Sequence, residues 1–465
     1  MSDHGTELAT LAAPEPDGSA AGPWSTTTRR DEAGGLEVGG VALTDLAREH
    51  GTPAYVLDLA DLRGRAQAWA DAFARHFAPG RGLAGADVYY AGKALLTVGV
   101  ARIVHAAGLR VDTSTGGELA TALRAGVPGP SIGLHGNNKS DAEIAAAIDA
   151  GVGRIVVDSL AEIDRVTMIA AERGTSAPVM VRVTTGVHAG GHEFIATAHE
   201  DQKFGLSLAS GAAREAVGKI LAEPALELVG LHSHIGSQIL DLAGFEAAAR
   251  AVLALREDVR AATGRVLPEV DLGGGYGIRY TGADAAGPTP DDVAATLAAV
   301  VATECARIGS PVPRVSVEPG RSVVGPAGLT LYRVGTIKDV ALDDGASRRY
   351  VSVDGGMSDH IRTALYGADY TAALASRPGD GGSVATRVVG KHCESGDIVV
   401  RDVALPAGTA RGDLLAVPVT GAYGRSMSSQ YNLVPRPPVI GVEDGRARVM
   451  VRRETIEDLL ALDED

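Results

Sequence analysis

One lysine of this sequence stands where a lysine is unexpected. Lys93 follows Asp87-Val-Tyr-Tyr-Ala-Gly, which reads as a short buried strand that ends at a glycine. A buried charge is costly unless a partner or a chemical role compensates for the lost hydration. The structural alternative is a side chain that extends its amine to the rim of a barrel. The ends of the other predicted strands bear on this choice.

Polar side chains also follow most of the other predicted strands. In chain order they are Asp112-Thr113-Ser114, His135-Gly136-Asn137, Asp158, His232-Ser233-His234, Asp271-Leu272-Gly273 and Glu318-Pro319-Gly320-Arg321. Such residues are poor material for an apolar core. In a barrel of parallel strands, the carboxyl ends of the strands meet at one face, and chemistry takes place there.

The spacing of the apolar residues predicts such a barrel. Eight short segments have the Val, Ile and Leu content of parallel strands that are buried on both faces. They are 87–91, 109–113, 131–135, 154–158, 179–184, 228–233, 269–272 and 314–317. Helical stretches separate them at 95–107, 116–125, 140–150, 160–173, 208–222, 241–263 and 291–308. One more helix precedes the first strand, so a (β/α)8 barrel is expected, with a doubly wound sheet as the alternative.

The pattern changes after Gly325. Strands are predicted at 330–334, 350–353, 386–389, 398–400, 414–419 and 447–451, and helices at 357–374 and 453–462. We therefore predict an α/β protein in which a TIM barrel is followed by a mostly β domain, a β-barrel or sandwich, joined by the N-terminal strand. The expected divisions are a mobile tail at 1–34, a joining segment at 35–52, the barrel at 53–325 and the β domain at 326–465.

Composition excludes several classes of partner. The 465 residues carry a net charge of −15, which argues against nucleic acid or an anionic membrane as a partner. The two cysteines, Cys305 and Cys393, cannot form a disulfide framework, so we expect a reducing, cytoplasmic location. No apolar run reaches the length of a membrane span, and no secretory signal is apparent.

The glycines at 273–275 are suited to a phosphate group. Glycines let backbone N–H groups close on phosphate oxygens, and the loops after strands seven and eight are the usual phosphate site of a barrel. Ser237 and Arg321 could add side-chain donors. A tight turn without a ligand is the alternative for this motif taken alone.

Glu318 narrows the choice of ligand. A carboxylate beside a phosphate site is electrostatically unfavourable unless the ligand also carries a basic nitrogen. A phosphate, a protonated ring nitrogen and an aldehyde for the Lys93 amine together describe pyridoxal 5'-phosphate. His234 could then lie against the ring, whereas a hydrogen-bonded structural histidine is its alternative role.

Two groups of residues have the side chains of metal ligands. His188 and His192 are four residues apart, but the glycines between them disfavour a shared helix face. His392, Cys393 and Glu394 are adjacent, and adjacent residues rarely chelate one ion. We predict no metal site.

Together these motifs resemble the fold-type III pyridoxal-phosphate decarboxylases, the alanine-racemase-like family. The resemblance is carried by Tyr90-Ala-Gly-Lys93-Ala, His135-Gly-Asn-Asn-Lys139, His234-Ile-Gly-Ser237, Gly273-Gly-Gly275, Glu318-Pro-Gly-Arg321, Cys393-Glu-Ser-Gly-Asp397 and Gly421-Ala-Tyr423. One motif alone would be weak support. The set spans nearly the whole chain after residue 35 and keeps the family's order.

The resemblance implies a role for each site residue. Lys93 would hold the cofactor aldehyde, His234 would stack on the ring, and Glu318 would keep the ring nitrogen protonated. The residues expected around the phosphate are Ser237, Gly273, Gly274, Gly275, Gly320, Arg321 and Tyr423. Those expected to line the substrate site are Arg321, Arg362, Tyr366, Glu394 and Tyr423. Members of the family are homodimers with shared active sites, so Cys393, as proton donor, and Glu394 would come from a second copy.

The resemblance also implies a reaction. The Cys-Glu-Ser-Gly-Asp motif favours removal of CO2 from meso-2,6-diaminopimelate to leave L-lysine, the last step of lysine biosynthesis. Related decarboxylases of ornithine, arginine or carboxynorspermidine are the alternative. An alanine racemase would use a tyrosine base instead of the Cys-Glu motif. A non-catalytic homologue should lack Lys93 or Glu318, and both are present.

Two segments depart from the family pattern. His360 and Thr363 flank Arg362 where asparagine and proline are usual, and the loop at 186–193 differs from the common form. Because Arg362 and Tyr366 are retained, these departures bear on the shape of the distal pocket more than on the reaction.

Overall fold

The computed structural model describes residues 11–187, 203–343 and 347–464, so the motif at His188 and His192 lies outside the described residues. The chain divides into two compact units. The barrel unit comprises Arg65–Gly277 and Gly287–Gly320, and the sheet unit comprises Met1–Gly64, Ile278–Ala286 and Arg321–Asp465. Among the described residues, no helix has both the length and the apolar character required to cross a bilayer.

The strands follow one another along the described chain. They are β1 (Arg29–Arg30), β2 (Leu36–Val38), β3 (Val41–Ala42), β4 (Ala54–Asp58), β5 (Ala86–Ala91), β6 (Arg110–Thr113), β7 (Ile132–Leu134), β8 (Arg154–Val157), β9 (Ala177–Thr184), β10 (Leu206–Ser207), β11 (Leu226–His232), β12 (Glu269–Asp271), β13 (Arg314–Val317), β14 (Gly328–Ala341), β15 (Ser347–Val353), β16 (Ala373–Leu374), β17 (Ser383–Val389), β18 (Ile398–Pro406), β19 (Leu414–Pro418), β20 (Val439–Glu443) and β21 (Arg446–Val451).

Helices separate most of the barrel strands. In chain order the helices are α1 (Leu43–His50), α2 (Leu59–His76), α3 (Val98–Ala106), α4 (Gly116–Arg124), α5 (Asp141–Asp149), α6 (Leu160–Glu172), α7 (Ala212–Ala222), α8 (Ala243–Thr263), α9 (Pro290–Ile308), α10 (Arg321–Val324), α11 (Arg362–Tyr366) and α12 (Ile456–Leu460).

The barrel unit contains a closed ring of parallel strands. Its order is β5-β6-β7-β8-β9-β11-β12-β13, and the pairing of β13 with β5 closes the ring. All four residues of β8 are buried, as expected for a strand covered on both faces. The eight predicted strands and the barrel fold are therefore confirmed.

Side-chain caps determine where several barrel helices begin. Thr97, Thr115, Ser140 and Ser159 each accept a hydrogen bond from a backbone N–H in the first turn of the helix that follows. This bond satisfies a donor that the helix leaves unpaired. The sequence predicts that this helix begins at residue 95. The cap at Thr97 explains why α3 begins at Val98 instead.

The sheet unit is built on a mixed sheet in the order β18-β17-β15-β14-β4-β20-β21. β4 lies between β14, with which it is antiparallel, and β20, with which it is parallel. The prediction placed 53–58 in the barrel and is wrong there. Every residue of β4 is buried, and the first four, Ala-Tyr-Val-Leu, form a continuous apolar run like that of a barrel strand.

The predicted helix at 357–374 is reduced to the five residues of α11. Before α11, the carboxylate of Asp359 accepts a hydrogen bond from the Gly356 N–H at 2.9 Å. Local bonds of this kind compete with helix formation. After α11, Gly367 has a φ of 61°, which ends the helix in a left-handed conformation.

Part of the segment 1–34 is packed in the structure, contrary to the prediction that this segment is a mobile tail. The Trp24 side chain is 3% exposed. The Thr27 hydroxyl donates to the Asp58 carboxylate at 2.5 Å, and the Thr26 hydroxyl donates to Asp61 at 2.9 Å. One buried aromatic ring and two hydrogen bonds thus hold a segment whose overall composition is that of a loop.

Candidate active site

A cavity of about 420 Å³ lies in the barrel unit at the carboxyl ends of the strands. Six of the polar residues that line it are Lys93, Asp112, His135, Arg182, His234 and Glu318. Most of them stand at or just beyond the ends of β5, β6, β7, β11 and β13. Predicted strand-end residues from five strands therefore meet in one cavity, whereas Asp158, Asp271 and Arg321 are not among its lining residues.

Lys93 lies in a 3₁₀ turn, Gly92–Ala94, directly after β5. A Cβ atom on Gly92 would come within 2.7 Å of the Asp112 carbonyl oxygen, so a larger residue would force β5 and β6 apart. The Tyr90 hydroxyl donates to the Leu95 carbonyl at 2.7 Å, which fixes the far side of the turn. The Lys93 side chain is exposed within the cavity.

The carboxylate of Glu318 is buried beside two histidines. Its Oε1 atom lies 3.0 Å from His232 Nε2 and 3.4 Å from His135 Nε2. The angles at these two contacts are unsuitable for hydrogen bonds, so Oε1 has no hydrogen-bond partner within the described chain. Burial raises the pKa of Glu318 and lowers that of His135 to about 4. A cationic N–H donor in the cavity would satisfy this carboxylate.

His135, His232 and Glu318 offer three atoms within 4.8 Å of one another, a set that could hold a metal ion. A metal-binding histidine usually donates its second ring N–H to an acceptor. His232 Nδ1 is buried and has no such partner in the part of the chain that the structure describes. This geometry argues against a metal ion, and the absence of a metal site stays a prediction.

The glycines at 273–275 have no room for side chains. Cβ atoms there would come within 2.4 Å of the Ser233 carbonyl oxygen, 2.0 Å of that of Glu318 and 2.3 Å of that of Gly236. Gly273 and Gly275 also have φ angles of +70° and +111°, which favour glycine. The loop therefore places bare backbone against the ends of β11 and β13.

Gly274 fixes the orientation of His234. Its N–H donates to His234 Nδ1 at 3.2 Å, so Nε2 carries the proton in the neutral ring. Burial holds the pKa of His234 well below its usual value, and Lys93 lowers it further. The ring is thus a neutral, oriented face of the cavity.

The other predicted phosphate residues of the barrel unit lie on nearby loops. Ser237 is exposed and follows Gly236, whose carbonyl oxygen packs against Gly275. Gly320 packs against β5, since a Cβ atom there would lie 2.9 Å from the Ala91 carbonyl oxygen.

Arg321 and Arg362 meet in the sheet unit. The Arg362 guanidinium donates to the hydroxyls of Tyr280 at 2.8 Å and Tyr370 at 2.5 Å, and Arg321 also donates to Tyr280. The Tyr423 ring centroid lies 4.7 Å from the Arg321 guanidinium carbon and 5.8 Å from that of Arg362. The structure thus brings three of the five predicted substrate residues together.

The remaining predicted residues lie outside this arginine cluster. Tyr366 is 64% exposed although it shares α11 with the buried Arg362. Cys393 and Glu394 are also exposed, and the Tyr431 hydroxyl donates to Glu394 Oε1 at 2.5 Å. All three are accessible on the surface of this single chain.

Sequence reasoning missed four side chains of these sites: Tyr280, Tyr370, Tyr431 and Arg182. Arg182 lies inside a strand, and Tyr280 and Tyr370 lie in segments without a motif, so no spacing distinguishes them. Tyr431 belongs to the polar run at 420–432, but the sequence predicts no role for it. The three tyrosine hydroxyls contact charged side chains that do belong to motifs, and these contacts are visible only in three dimensions.

The barrel residues match a known family. Residues 59–325 match the family model described as "Pyridoxal-dependent decarboxylase, pyridoxal binding domain". That span is more than half of the 465 residues. The chain belongs to the pyridoxal-dependent decarboxylase family. It is accordingly an enzyme that uses pyridoxal phosphate, as the sequence predicted.

Several pyridoxal-dependent decarboxylases are similar over nearly their whole length. The diaminopimelate decarboxylase of Mycobacterium tuberculosis (strain ATCC 25618 / H37Rv) is 53% identical over 447 residues, with 95% of this chain and 97% of that protein covered. The diaminopimelate decarboxylase of Bacillus subtilis (strain 168) is 44% identical over 437 residues, with coverages of 94% and 97%.

Solved structures agree with this fold. The crystal structure of diaminopimelate decarboxylase from M. jannaschii in co-complex with L-lysine has a TM-score of 0.87 at 30% identity, covering 95% of this chain and 98% of that one. The Vibrio vulnificus lysine/ornithine decarboxylase complexed with cadaverine has a TM-score of 0.70 at 22% identity, with coverages of 86% and 97%, and shares the fold.

The barrel cavity suits pyridoxal phosphate. Glu318 Oε1 is a buried acceptor that lacks a hydrogen-bond partner among the described residues and matches a protonated ring nitrogen. The backbone of Gly273–Gly275 leaves no room for side chains and can approach a phosphate closely. Lys93 supplies an amine in the same cavity.

Proposed function

We propose that the enzyme removes CO2 from meso-2,6-diaminopimelate and releases L-lysine. The observation that carries this proposal is the pairing of Arg321 and Arg362 on one tyrosine hydroxyl. Two buried guanidinium groups form a site for a carboxylate. Of the substrates considered, diaminopimelate has a second carboxylate far from the reacting carbon. The names of the relatives point to the same substrate.

Ornithine and arginine have no distal carboxylate. With either substrate, Arg362 would stay buried without an anionic ligand, since its hydrogen-bond partners in the described chain are two neutral hydroxyls. A buried charge without a counter-charge is unfavourable. The arginine pair therefore favours diaminopimelate over these alternatives, and over carboxynorspermidine as the minor one.

In the proposal, the barrel residues hold the cofactor. Lys93 binds the aldehyde, the Glu318 carboxylate accepts the ring N–H, and His234 covers one face of the ring. Groups expected to bind the phosphate are Ser237, Gly273, Gly274, Gly275, Gly320, Arg321 and Tyr423. When bound, pyridoxal phosphate supplies an electron sink for the electron pair left at Cα by departing CO2.

The charged residues of the sheet unit would choose the substrate. Arg321 and Arg362 bind the distal carboxylate with Tyr423 beside them, and Glu394 binds the distal ammonium group. Tyr366 would line the substrate site from outside the arginine cluster. The Tyr431 hydroxyl orients the Glu394 carboxylate through the 2.5 Å hydrogen bond. Opposite charges placed in this way recognise an amino acid end and not a simple amine.

Cys393 and Glu394 would act in the partner subunit of a homodimer. Both are exposed in the single chain, as residues that enter a neighbour's site must be. Cys393 would donate a proton to Cα after CO2 has left. Both cysteines are free, and the cytoplasmic location expected from them stays a prediction.

The direct test is product formation by the purified protein. The protein is incubated with pyridoxal phosphate and meso-diaminopimelate, and CO2 and L-lysine are measured. Equimolar CO2 and lysine are expected, with no release from ornithine, arginine or carboxynorspermidine. Turnover of one of these three without lysine formation from diaminopimelate would show that the substrate has been assigned wrongly.

A further inference from the structure

Tyr280 is the common hydrogen-bond acceptor of two arginines. Its hydroxyl oxygen accepts from Arg362 Nη1 at 2.8 Å and also from Arg321 Nη1. A hydroxyl oxygen has two acceptor lone pairs, so both bonds can exist at once. The oxygen therefore lies at a fixed position between two guanidinium groups that come from α10 and α11.

This arrangement brings like charges close together inside the protein. Arg321 is 9% exposed and Arg362 is 8% exposed, so water screens their repulsion poorly. The Tyr280 ring lies under both, at 5.8 Å from the Arg321 guanidinium carbon and 5.1 Å from that of Arg362. A neutral oxygen and an aromatic face soften the repulsion but do not neutralise either charge.

Tyr370 differs from Tyr280 in one respect. Its hydroxyl accepts a hydrogen bond from Arg362 at 2.5 Å, whereas the Tyr280 hydroxyl accepts from both Arg362 and Arg321. Its ring packs edge-on against Tyr280, with the centroids 5.1 Å apart. Tyr370 can therefore hold one arginine, whereas Tyr280 sets the position of one arginine relative to the other.

We propose that Tyr280 is a positioning residue that makes the two arginines a single clamp for the distal carboxylate. The inference rests on the proposed function, because the carboxylate is that of the diaminopimelate L-centre and of the L-lysine product. With the oxygen in place, both guanidinium groups can donate to one carboxylate. Without it, they separate under their own repulsion, and the requirement for a carboxylate weakens.

Two ligands that differ by one carboxylate test the inference without turnover. L-lysine has that carboxylate, and cadaverine is the same diamine without it. Binding of each to the holoenzyme is measured by titration calorimetry. Tyr280→Phe is expected to weaken L-lysine binding roughly tenfold or more, as for loss of hydrogen bonds to charged groups, and to leave cadaverine binding within about twofold.

Steady-state kinetics supply the second readout. Tyr280→Phe should raise KM for meso-diaminopimelate by a similar factor while kcat stays close to that of the wild type, because the distal carboxylate does not react. Tyr370→Phe is the matched control, since it removes the same atom from a ring whose hydroxyl is hydrogen-bonded to Arg362. Its effect on L-lysine binding should be clearly smaller.

Equal weakening of L-lysine and cadaverine binding, or equal effects of the two tyrosine variants, would overturn the inference. Unchanged L-lysine affinity in Tyr280→Phe would do the same. If Tyr280→Phe does not fold, Tyr280→Met removes the same oxygen at similar volume, and the same outcomes apply. A wild-type enzyme that neither binds L-lysine nor acts on diaminopimelate would instead contradict the proposed function.

Discussion

Lys93 and Glu318 stand at the ends of two strands that are neighbours in the barrel but far apart in the sequence. Val88 of β5 is paired with Val317 of β13, so the residues just beyond them reach the same side of the ring. The barrel thus places an amine and a buried carboxylate in one cavity through backbone pairing alone. Their chemistry then depends on local surroundings: an exposed amine and a carboxylate between two histidines.

Replacement of Lys93 by alanine should abolish the covalent attachment of the cofactor. The purified Lys93→Ala variant is expected to lack the visible absorbance band of bound pyridoxal phosphate and to lose decarboxylase activity. In the wild type, borohydride reduction followed by peptide mass spectrometry should place the label on Lys93. Label on Lys139 instead, which is buried beside Glu162 at 3.0 Å, would show that the wrong lysine had been chosen.

At the residue scale, the sequence identified the charged residues that belong to motifs and missed the residues that only orient them. Lys93 and Glu318 could be predicted because a charge at the end of an apolar strand is anomalous. Tyr280 could not, because a tyrosine in a loop is ordinary, and its two arginine partners lie 41 and 82 residues away. Nothing in local spacing encodes such a contact.

Within the barrel, β8 contributes a buried arginine that joins four strands. Arg154 donates to Asp271 at 2.9 Å, to Ser316 at 2.9 Å, to the Tyr89 hydroxyl at 2.7 Å and to Glu269 at 3.0 Å. Asp271 in turn accepts from the Gly273 N–H at 2.8 Å, so this network supports the start of the glycine loop.

Loss of Arg154 should destabilise the barrel strongly. Arg154→Met leaves the Asp271 carboxylate buried without its cation, which typically costs about 3–5 kcal/mol. Arg173→Met is the matched control, because the Arg173–Asp149 pair is exposed, at 30% and 60%. Its expected cost is much smaller, because solvent screens an exposed ion pair. Chemical denaturation of both variants measures the difference, and equal losses would contradict the role given to the network.

The segment before α11 contains a buried histidine with an unusual pKa. His360 packs edge-on against Tyr370 at 4.4 Å between centroids. Burial, with a smaller contribution from the Arg362 charge, lowers the pKa of His360 to about 3. The residue is therefore neutral in the folded protein at pH values where an unfolded chain would protonate it.

His360→Asn should make the protein less sensitive to acid. Because the folded pKa lies below the unfolded value of about 6.5, the histidine's contribution to stability is complete above pH 6.5 and is lost as pH falls towards 3. Between pH 6.5 and 5 the wild type should lose on the order of 2 kcal/mol more than the variant. Urea unfolding of both proteins at these two pH values gives the difference, and parallel losses would exclude this role.

At the element scale, the sequence predicted the barrel strands well because most of their residues are buried and several of the helices between them are capped. It failed where tertiary pairing decides. β4 has the composition of a barrel strand yet pairs with β14 and β20. Residues 357–361 have helical apolar spacing, but the Asp359 carboxylate bonds to the backbone instead.

For the whole molecule, the proposed homodimer predicts complementation between two inactive variants. Lys93→Ala and Cys393→Ala should each be nearly inactive alone. When mixed under conditions that exchange subunits, about a quarter of the sites should take both intact residues from different chains of a twofold dimer. Activity of the mixture is then measured against each variant.

The control for this experiment is a mixture of Lys93→Ala with Glu318→Gln. Lys93 and Glu318 line the same cavity of one chain, so each site of a mixed dimer keeps one of the two changes and no activity should be recovered. Absence of recovery in the cysteine mixture as well would mean that Cys393 serves its own chain. Recovery in the cysteine mixture alone supports shared sites.

The position of β4 between β14 and β20 determines how long this strand lacks one of its two pairing partners while the chain is synthesised. β4 leaves the ribosome early, but it can pair with its second neighbour, β20, only after Val439–Glu443 has been synthesised. At typical elongation rates that interval is roughly 20–80 s. The whole barrel is synthesised during this time, because its residues lie between β4 and β20 in the sequence. The newly made N-terminal strand therefore needs protection from other nascent chains for longer than any strand of the barrel.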